Sequence, residues 1–444
     1  GVDAIIDCAE VYPGLPGCGR EDPLVGGRLA FVDGRERFEG RVSVIDLKTG
    51  DAWMSLSPAW PDKWSPSGER LLLSLLTGET VAYRSNGEFE ASFELPLAPP
   101  FWAPPDALPG AYPGAHDWLA QATADGGLEA VPFPQDEPPR QILPPGSLGS
   151  DSKATVLWAH GGLLAWTPTL DQLQESGLRE QTLYVQQVPF GEEEPAAWRL
   201  SGDIHEAYYI LLDWAPGANL LLAGQQLHMS SSMLADGAPL FTINAKTGEI
   251  TDMGVTMLLT REAYAWHPTQ SGLLALAAGG GRFLTDPPKR LAVLDVTSGS
   301  THHLTDEETV VFEPAWSPDG SLLAYAAVPA SPGAAGDGAG MEEALAGRAI
   351  HVVDPATGES RALTEPGDEA IDGWPRWSAD GARLLYTRQH DGVTDVRVAA
   401  LIESMAKSDY AGKAATDELV KIGKPAVERL IKALTDNRRR VGYW

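Results

Sequence analysis

The chain predicts an all-β propeller, with eight blades favoured and seven as the alternative, followed by a short α-helical C-terminal segment. Three observations predict it. A phrase made of a Trp, a tight turn and an apolar run recurs along most of the 444 residues. Between the copies, runs rich in Val, Ile, Leu and Tyr are bounded by Gly, Pro, Asp and Ser, the signature of strands and turns. Near residue 400 both the charge balance and the spacing of apolar residues change.

The phrase is clearest in "EPAWSPDGSLLAYAA" (313–327) and recurs as "DKWSPSGERLLLSLL" (62–76), "LDWAPGANLLLAG" (212–224), "YAWHPTQSGLLALAA" (264–278) and "PRWSADGARLLYT" (375–387). Weaker copies are "PPFWAPPDALPG" (99–110) and "TVLWAHGGLLAWT" (155–167). Trp64, Trp102, Trp158, Trp214, Trp266, Trp316 and Trp377 hold the matching place, about 40–60 residues apart, which is the propeller range of periods. After each turn come an apolar strand, a loop and a second apolar strand such as "RVSVIDL", "RLAVLDV" or "AIHVVDP". A tight "KTG", "TSG" or "ATG" turn and a short fourth strand complete the unit. Four short antiparallel strands per unit describe a blade.

A blade is covered on both faces by its neighbours, so its strands are apolar on both sides. A large ring on the first strand fills the wedge between blades and contributes about 2–3 kcal/mol of burial. Pro presets φ for the turn, Asp or Ser bonds back to the backbone, and Gly takes the positive-φ position. The Trp phrases are therefore read as structural joints, not as aromatic binding boxes. They resemble the WSPDG-type repeats of the TolB-like and WD40-like propeller families, over residues 27–399. That resemblance implies a fold and leaves function open, because such propellers serve as scaffolds, periplasmic binding proteins and peptidase gates. The last unit lacks a fourth strand, and "DAIIDCA" (3–9), within an N-terminal segment 1–26, is expected to supply it and remove a sheet edge. The stretch "APPDALPGAYPG" departs most from the pattern.

Net charge is −28. Residues 401–444 carry nine Lys/Arg and six Asp/Glu, which leaves −31 on residues 1–400. So acidic a body repels phosphate backbones, and nucleic acid is not an expected partner. No apolar run approaches the ~18 residues that span a bilayer. Cys8 and Cys18, separated by two Pro-Gly pairs, make a small disulfide loop feasible, with unpaired thiols as the other reading; a disulfide implies an oxidising, extracytoplasmic compartment, periplasmic or cell-surface. The chain begins at Gly1, as expected of a processed or partial form.

Loop lengths separate the two ends of the propeller. The first-to-second and third-to-fourth connections are short and uniform. The second-to-third connections are long and unlike one another, from "DGRERFEG" to "VPASPGAAGDGAGMEEALAG". Long variable loops on a rigid frame are where binding usually lives. Arg37, Phe38, Leu173, His228, Met229, Arg282 and Phe283 are the candidate contacts for a protein or peptide partner, being apolar or Arg residues in otherwise polar loops. The competing reading is that each packs its own loop onto a blade.

No catalytic arrangement stands out, so the chain itself reads as non-enzymatic. "GSLGS" (146–150) does not fit a nucleophile elbow, and no zinc, phosphate-loop or dinucleotide motif occurs in its strand-to-helix context. His302 and His303 alternate on a predicted fourth strand and point to opposite faces, which disfavours a shared metal. Acidic clusters such as "DEET" and "EPGDEAIDG" lack calcium-loop spacing. No cofactor or metal is expected.

In "KPAVERLIKALTDN" (424–437), Val427, Leu430, Ile431 and Leu434 share one helical face, with Pro425 in the first turn and Gly423 ending the preceding helix. Residues 400–444 resemble a partial HEAT repeat of the kind related to phycobilisome lyases, with "DNRRRVGYW" opening a second helix. One such repeat cannot bury its apolar face alone, so the segment is expected to continue, or to pack on the propeller or another chain. The leading expectation is a non-catalytic interaction scaffold, exported as the disulfide reading implies. Rival readings are the propeller domain of a prolyl-oligopeptidase-like hydrolase, or a carbohydrate binder using an exposed Trp such as Trp374.

Overall fold

The computed structural model describes residues 4–7, 24–25, 28–33, 41–46, 52–55, 59–75, 79–93, 100–104, 108, 117–148, 154–169, 173–174, 177, 179–188, 194–226, 237–279, 289–330, 347–365, 370–378 and 381–390. Its elements are almost all strands. After β1 (Ala4–Asp7), the first unit holds β2 (Leu24–Val25), β3 (Arg28–Asp33), β4 (Arg41–Asp46) and β5 (Ala52–Met54). The second holds β6 (Ala59–Trp64), β7 (Arg70–Leu75), β8 (Thr80–Arg84) and β9 (Phe89–Phe93); the third β10 (Phe101–Trp102), β11 (Asp117–Ala122), β12 (Leu128–Phe133) and β13 (Arg140–Leu143). The fourth holds β14 (Ala154–Trp158), β15 (Leu163–Pro168), β16 (Gln181–Gln187) and β17 (Ala196–Ser201); the fifth β18 (Tyr208–Trp214), β19 (Leu220–Gln226), β20 (Ala238–Asn244) and β21 (Ile250–Met257). The sixth holds β22 (Tyr264–Trp266), β23 (Leu273–Ala278), β24 (Arg290–Asp295) and β25 (Ser300–His303); the seventh β26 (Thr309–Trp316), β27 (Leu323–Pro329), β28 (Ala349–Val353) and β29 (Ser360–Ala362). β30 (Ala370–Trp377) and β31 (Arg383–His390) end the series.

Strands within a unit pair in chain order and antiparallel. The fifth and sixth units share one eight-stranded sheet, but they touch along it only where Met257 meets Ala278. β1 pairs with β31 in parallel, Ala4 opposite Arg383 through Asp7 opposite Tyr386. The sequence expectation made this segment a fourth strand. It lies instead directly on the second strand of the last unit, satisfying the edge that β30 leaves open on that side. The expected third strand "TDVRVAA", the Cys8–Cys18 loop and the HEAT-like segment 400–444 all fall outside the described residues. The described elements give that helical segment no support: they contain only the 3-10 turns His160–Gly162 and Arg261–Ala263 and a helical pair, Leu173 and Gln174.

Each seam between units is built on the repeated Trp. Trp64 packs with Val42 and Val44 of the unit before it, and Trp102 with Leu72 and Ala82. Trp158 joins Ala120 and Ile142, Trp214 joins Leu183 and Val185, and Trp266 joins Leu222 and Met253. Trp316 meets Ala275 and Leu291, and Trp377 meets Ile350 and Val352. The wedge role read from the sequence is thus the packing observed, with the apolar body of the ring supplying most of its burial energy.

The indole nitrogen adds a second, directional element that the sequence reading lacked. Trp102 donates to the Lys63 carbonyl at 3.0 Å, Trp214 to Leu157 at 3.2 Å, Trp316 to Ala265 at 3.1 Å and Trp377 to Ala315 at 3.0 Å. In every case the acceptor belongs to the residue just before the previous unit's Trp. Trp266 follows the rule in altered form, donating to the Asp213 Oδ2 carboxylate at 3.1 Å. Trp102, Trp214, Trp316 and Trp377 therefore both fill a wedge and satisfy a backbone carbonyl, which orients one unit against the next, whereas the indole nitrogens of Trp64 and Trp158 are buried without an acceptor.

The third unit departs from the loop rule. Its first-to-second connection runs from 103 to 116, whereas its second-to-third connection is only 123–127. The missing Pro-Asp-Gly turn explains the first length. The second is a tight turn in which Gly126 has φ +79° and Gly127 donates to Thr123 Oγ1 at 2.9 Å.

Candidate functional site at the loop-bearing end

The long connections 169–180, 227–237, 279–289 and 330–348 each join a second strand to a third, so they leave the sheets at one end. At the mouth of the third strand of the second, fourth, sixth and seventh units stands a buried polar residue: Thr80, Gln181, Lys289 and Arg348. Three of them stitch to the residue five positions before the next Trp. Gln181 accepts from Tyr209 N at 2.8 Å and donates to its carbonyl at 2.8 Å. The Lys289 carbonyl accepts from Val311 N at 2.7 Å, and the Arg348 carbonyl accepts from Asp372 N at 2.8 Å. The seams are therefore held by indoles toward the short-turn end and, toward the loop-bearing end, by the Gln181 side-chain amide or by the backbone carbonyls of Lys289 and Arg348. In these four units a polar residue at or directly before the start of the apolar third strand is the sequence signal that marks them.

Between the seventh unit and the sheet of β30 and β31 this stitch becomes a buried charged cluster. Arg348 Nε donates to the Asp372 carbonyl at 2.7 Å, and its Nη1 lies 3.7 Å from Glu313 Oε1, both side chains being about nine-tenths buried at 9% and 10% exposure. Glu313 Oε2 accepts from the Trp374 backbone N–H at 2.6 Å. The guanidinium carbon stands 5.1 Å from the Phe312 ring centre and 6.0 Å from that of Trp374, within cation–π range. Gly373 makes room for it: a β-carbon there would run into Arg348 Nη2.

Glu313 and Trp374 occupy matching places, three residues before Trp316 and Trp377, at the bulge in the first strand of each unit. They are the non-glycine residues with positive φ among the described residues, at +53° and +49°. Each precedes a proline, Pro314 or Pro375, which disfavours the right-handed helical region for it. Left-handed backbone at side-chain-bearing residues costs about 1–3 kcal/mol each and is held only where the surroundings determine it. Here the determinants are Arg348 and the carboxylate of Glu313, at the end where the 330–348 connection rejoins the sheet.

The candidate contact residues are placed unevenly. Leu173 is 1% exposed and packs with Ile204, Tyr208 and Ile210, so this side chain fastens its loop to the fourth and fifth units and offers no surface for a partner. Arg37, Phe38, His228, Met229, Arg282 and Phe283 lie outside the described residues. Trp374 is not the exposed platform expected for a sugar: it is half-buried, and its indole nitrogen is enclosed without a hydrogen-bond acceptor. His302 and His303 are exposed on β25, and His303 Nε2 sits 3.2 Å from Arg290. Among the described residues no group of three His, Cys, Asp or Glu side chains is poised to hold a metal, and no helix is long and apolar enough to cross a membrane.

No protein-family model and no curated protein matches the chain. Among solved structures it is similar to the β-propeller domain of the Trilobed protease from Pyrococcus furiosus, at 10% identity and a TM-score of 0.41, over 80% of this chain and 98% of that one. The Dos1 propeller overlaps 81% of this chain and 86% of its own, at 12% identity and a TM-score of 0.48. A putative TolB from Agrobacterium tumefaciens overlaps 80% and 99%, at 14% identity and a TM-score of 0.30. These overlaps are loose. The assignment to the β-propellers rests on the strand pairing and the repeated Trp seams of this chain itself.

Proposed function

We propose that the protein is a non-catalytic interaction scaffold, an exported propeller closing as eight blades, that binds a protein or peptide across its loop-bearing end. One observation carries the reading: the long second-to-third connections leave the sheets together at the end where the chain also spends buried charge and left-handed backbone. Rigid seams support variable loops there, which is how binding surfaces are commonly built. The basic HEAT-like segment at 400–444 is proposed as a second contact module behind the propeller.

The test is a selection from a random peptide library on the intact protein, repeated with connections 227–237 and 279–289 each replaced by an Asn-Gly turn. The expected outcome is a set of peptides that binds the protein and loses binding to the shortened variant, with thermal unfolding unchanged. Equal binding to both proteins overturns the loop-bearing end as the docking surface.

A further inference from the structure

The turn after Trp266 differs from its counterparts by one residue. In the other regular turns the residue after the Trp pairs with the residue five positions on: Ser65 N to Arg70 O at 2.8 Å, Ser317 N to Leu322 O at 2.9 Å and Ser378 N to Arg383 O at 2.9 Å. In the sixth unit the span is six, His267 N to Leu273 O at 2.8 Å. Where the turn is short, the serine hydroxyl caps it, accepting from Arg70 N at 3.2 Å, Leu322 N at 2.9 Å and Arg383 N at 2.9 Å. The longer turn has a longer acceptor. His267 Nδ1 accepts from Gln270 N at 3.0 Å and Thr269 N at 3.2 Å.

That use of Nδ1 fixes the tautomer, because a ring nitrogen that accepts carries no proton and the other must carry it. Nε2–H then points across the seam and donates to the Gly320 carbonyl in the seventh unit's turn at 3.2 Å. The ring stands 4.6 Å from Trp316, centre to centre, and is 3% exposed. A β-carbon at Gly320 would strike the imidazole, so the two turns meet at their closest through this ring. One neutral histidine thus caps its own turn and ties two units together.

We propose that His267 is an acid-sensitive latch between the sixth and seventh units, whose protonation releases its turn from Gly320. An imidazolium carries protons on both nitrogens, so Nδ1 would turn a donor toward the Thr269 and Gln270 amides. The ring has to leave, and with it goes the tie across the seam. The neighbours on its own turn, Thr269 and Gln270, are neutral, as are Trp316 and Gly320 from the seventh unit. Burial is the largest influence and disfavours the imidazolium; the hydrogen bond to the Gly320 carbonyl and the field of Asp319, the charged group acting on the ring, both favour it but are outweighed, so the ring titrates below its ordinary range. The latch is therefore closed at neutral pH and opens as the pH falls past the ordinary histidine value of about 6.5 and on through the lowered one. The device lies at the short-turn end, away from the docking surface proposed above, and does not depend on that reading.

The test combines site-resolved amide exchange, corrected for intrinsic rates, with imidazole nitrogen NMR on the intact protein. Between about pH 7.5 and about pH 4.5 the Thr269 and Gln270 amides are expected to lose protection at least about tenfold. His267→Gln, which keeps an acceptor and does not titrate, should lose that pH dependence. Equal pH dependence in the two proteins overturns the proposal. Should the variant fail to fold, NMR on the unaltered protein decides: an Nε2–H tautomer that titrates below about 6.5 supports the latch, and an Nδ1–H tautomer or an ordinary titration overturns it.

Discussion

Trp198 of the fourth unit covers Gly248 of the fifth. Its indole nitrogen donates to the Ala245 carbonyl at 3.1 Å, and its ring carbons stand 2.7 Å from where a β-carbon on Gly248 would sit. Trp53 and Gly87 repeat the relationship between the first and second units, with the Ser85 carbonyl as acceptor at 2.9 Å. A fourth-strand Trp therefore reaches over the next unit's glycine turn, a seam at the outer edge that complements the first-strand Trp seam further in.

Gly248 is needed twice, once for its φ of +73° and once for its missing side chain. Gly299 is needed only once, because its φ is +72° and nothing lies near its missing β-carbon. Gly299→Ala is expected to cost about 1–2 kcal/mol from left-handed strain alone. Gly248→Ala should cost about 3 kcal/mol or more, since Trp198 must also move. Urea unfolding of the two variants, compared through their midpoints, checks the difference.

The first-strand rings offer a cleaner separation of hydrogen bonding from packing. Trp102 and Trp158 are both buried, at 5% and 8% exposure, but Trp102 donates to Lys63 whereas the Trp158 indole nitrogen is buried without an acceptor. Replacing either by Phe removes similar volume. Trp102→Phe also loses a seam hydrogen bond and should be the more destabilising, by about 1–2 kcal/mol. Trp158→Phe removes an unsatisfied donor, which offsets part of its packing loss. Equal losses in denaturant titrations would show that the indole bonds contribute nothing net to the seams.

Asp319, the acidic residue of "WSPDG", is held at a pKa of about 2. The causes are the Ser317 hydroxyl at 2.6 Å and the Ser321 hydroxyl and backbone N–H, all donating to its carboxylate. A lowered carboxylate pKa favours folding at every pH above the unfolded value, and the benefit disappears as the pH falls from there through about 2. A carbon-detected NMR titration should place the midpoint near about 2. Ser317→Ala should raise it, because the strongest donor is gone; an unmoved midpoint would assign the shift to something other than the turn.

The Trp phrases were legible because one physical task, filling a wedge between two-sided sheets, recurs at each seam with the same residue. The stitches at the third-strand mouths were not, because Lys289 and Arg348 make them through the backbone carbonyl and Gln181 through its side-chain amide, and a repeat read by residue identity passes over them. Leu173 shows the limit of reading loops by composition: an apolar residue in a polar loop is as suited to anchoring that loop as to meeting a partner, and burial decides. The longer sixth turn was visible as one extra residue in "WHPTQSGL", yet its consequence, a histidine doing the work of serine, appears only once Gly320 is seen across the seam.

Arg348 and Glu313 provide the last prediction. Both are nearly buried, so removing one partner leaves a charge without its compensation, which costs about 3–5 kcal/mol in comparable buried pairs. Arg348→Met keeps the aliphatic stem against Phe312 and Trp374 but strands the Glu313 carboxylate. Its destabilisation should be largely relieved in the double variant Arg348→Met, Glu313→Gln, whose amide oxygen can still accept from the Trp374 N–H. A coupling of about 1 kcal/mol or more in the double-mutant cycle is expected for residues in such contact. Additive losses would mean that Arg348 acts through its bond to the Asp372 carbonyl alone. Glu313 would then hold the Trp374 bulge independently, and the charged cluster would be two adjacent stitches instead of one unit.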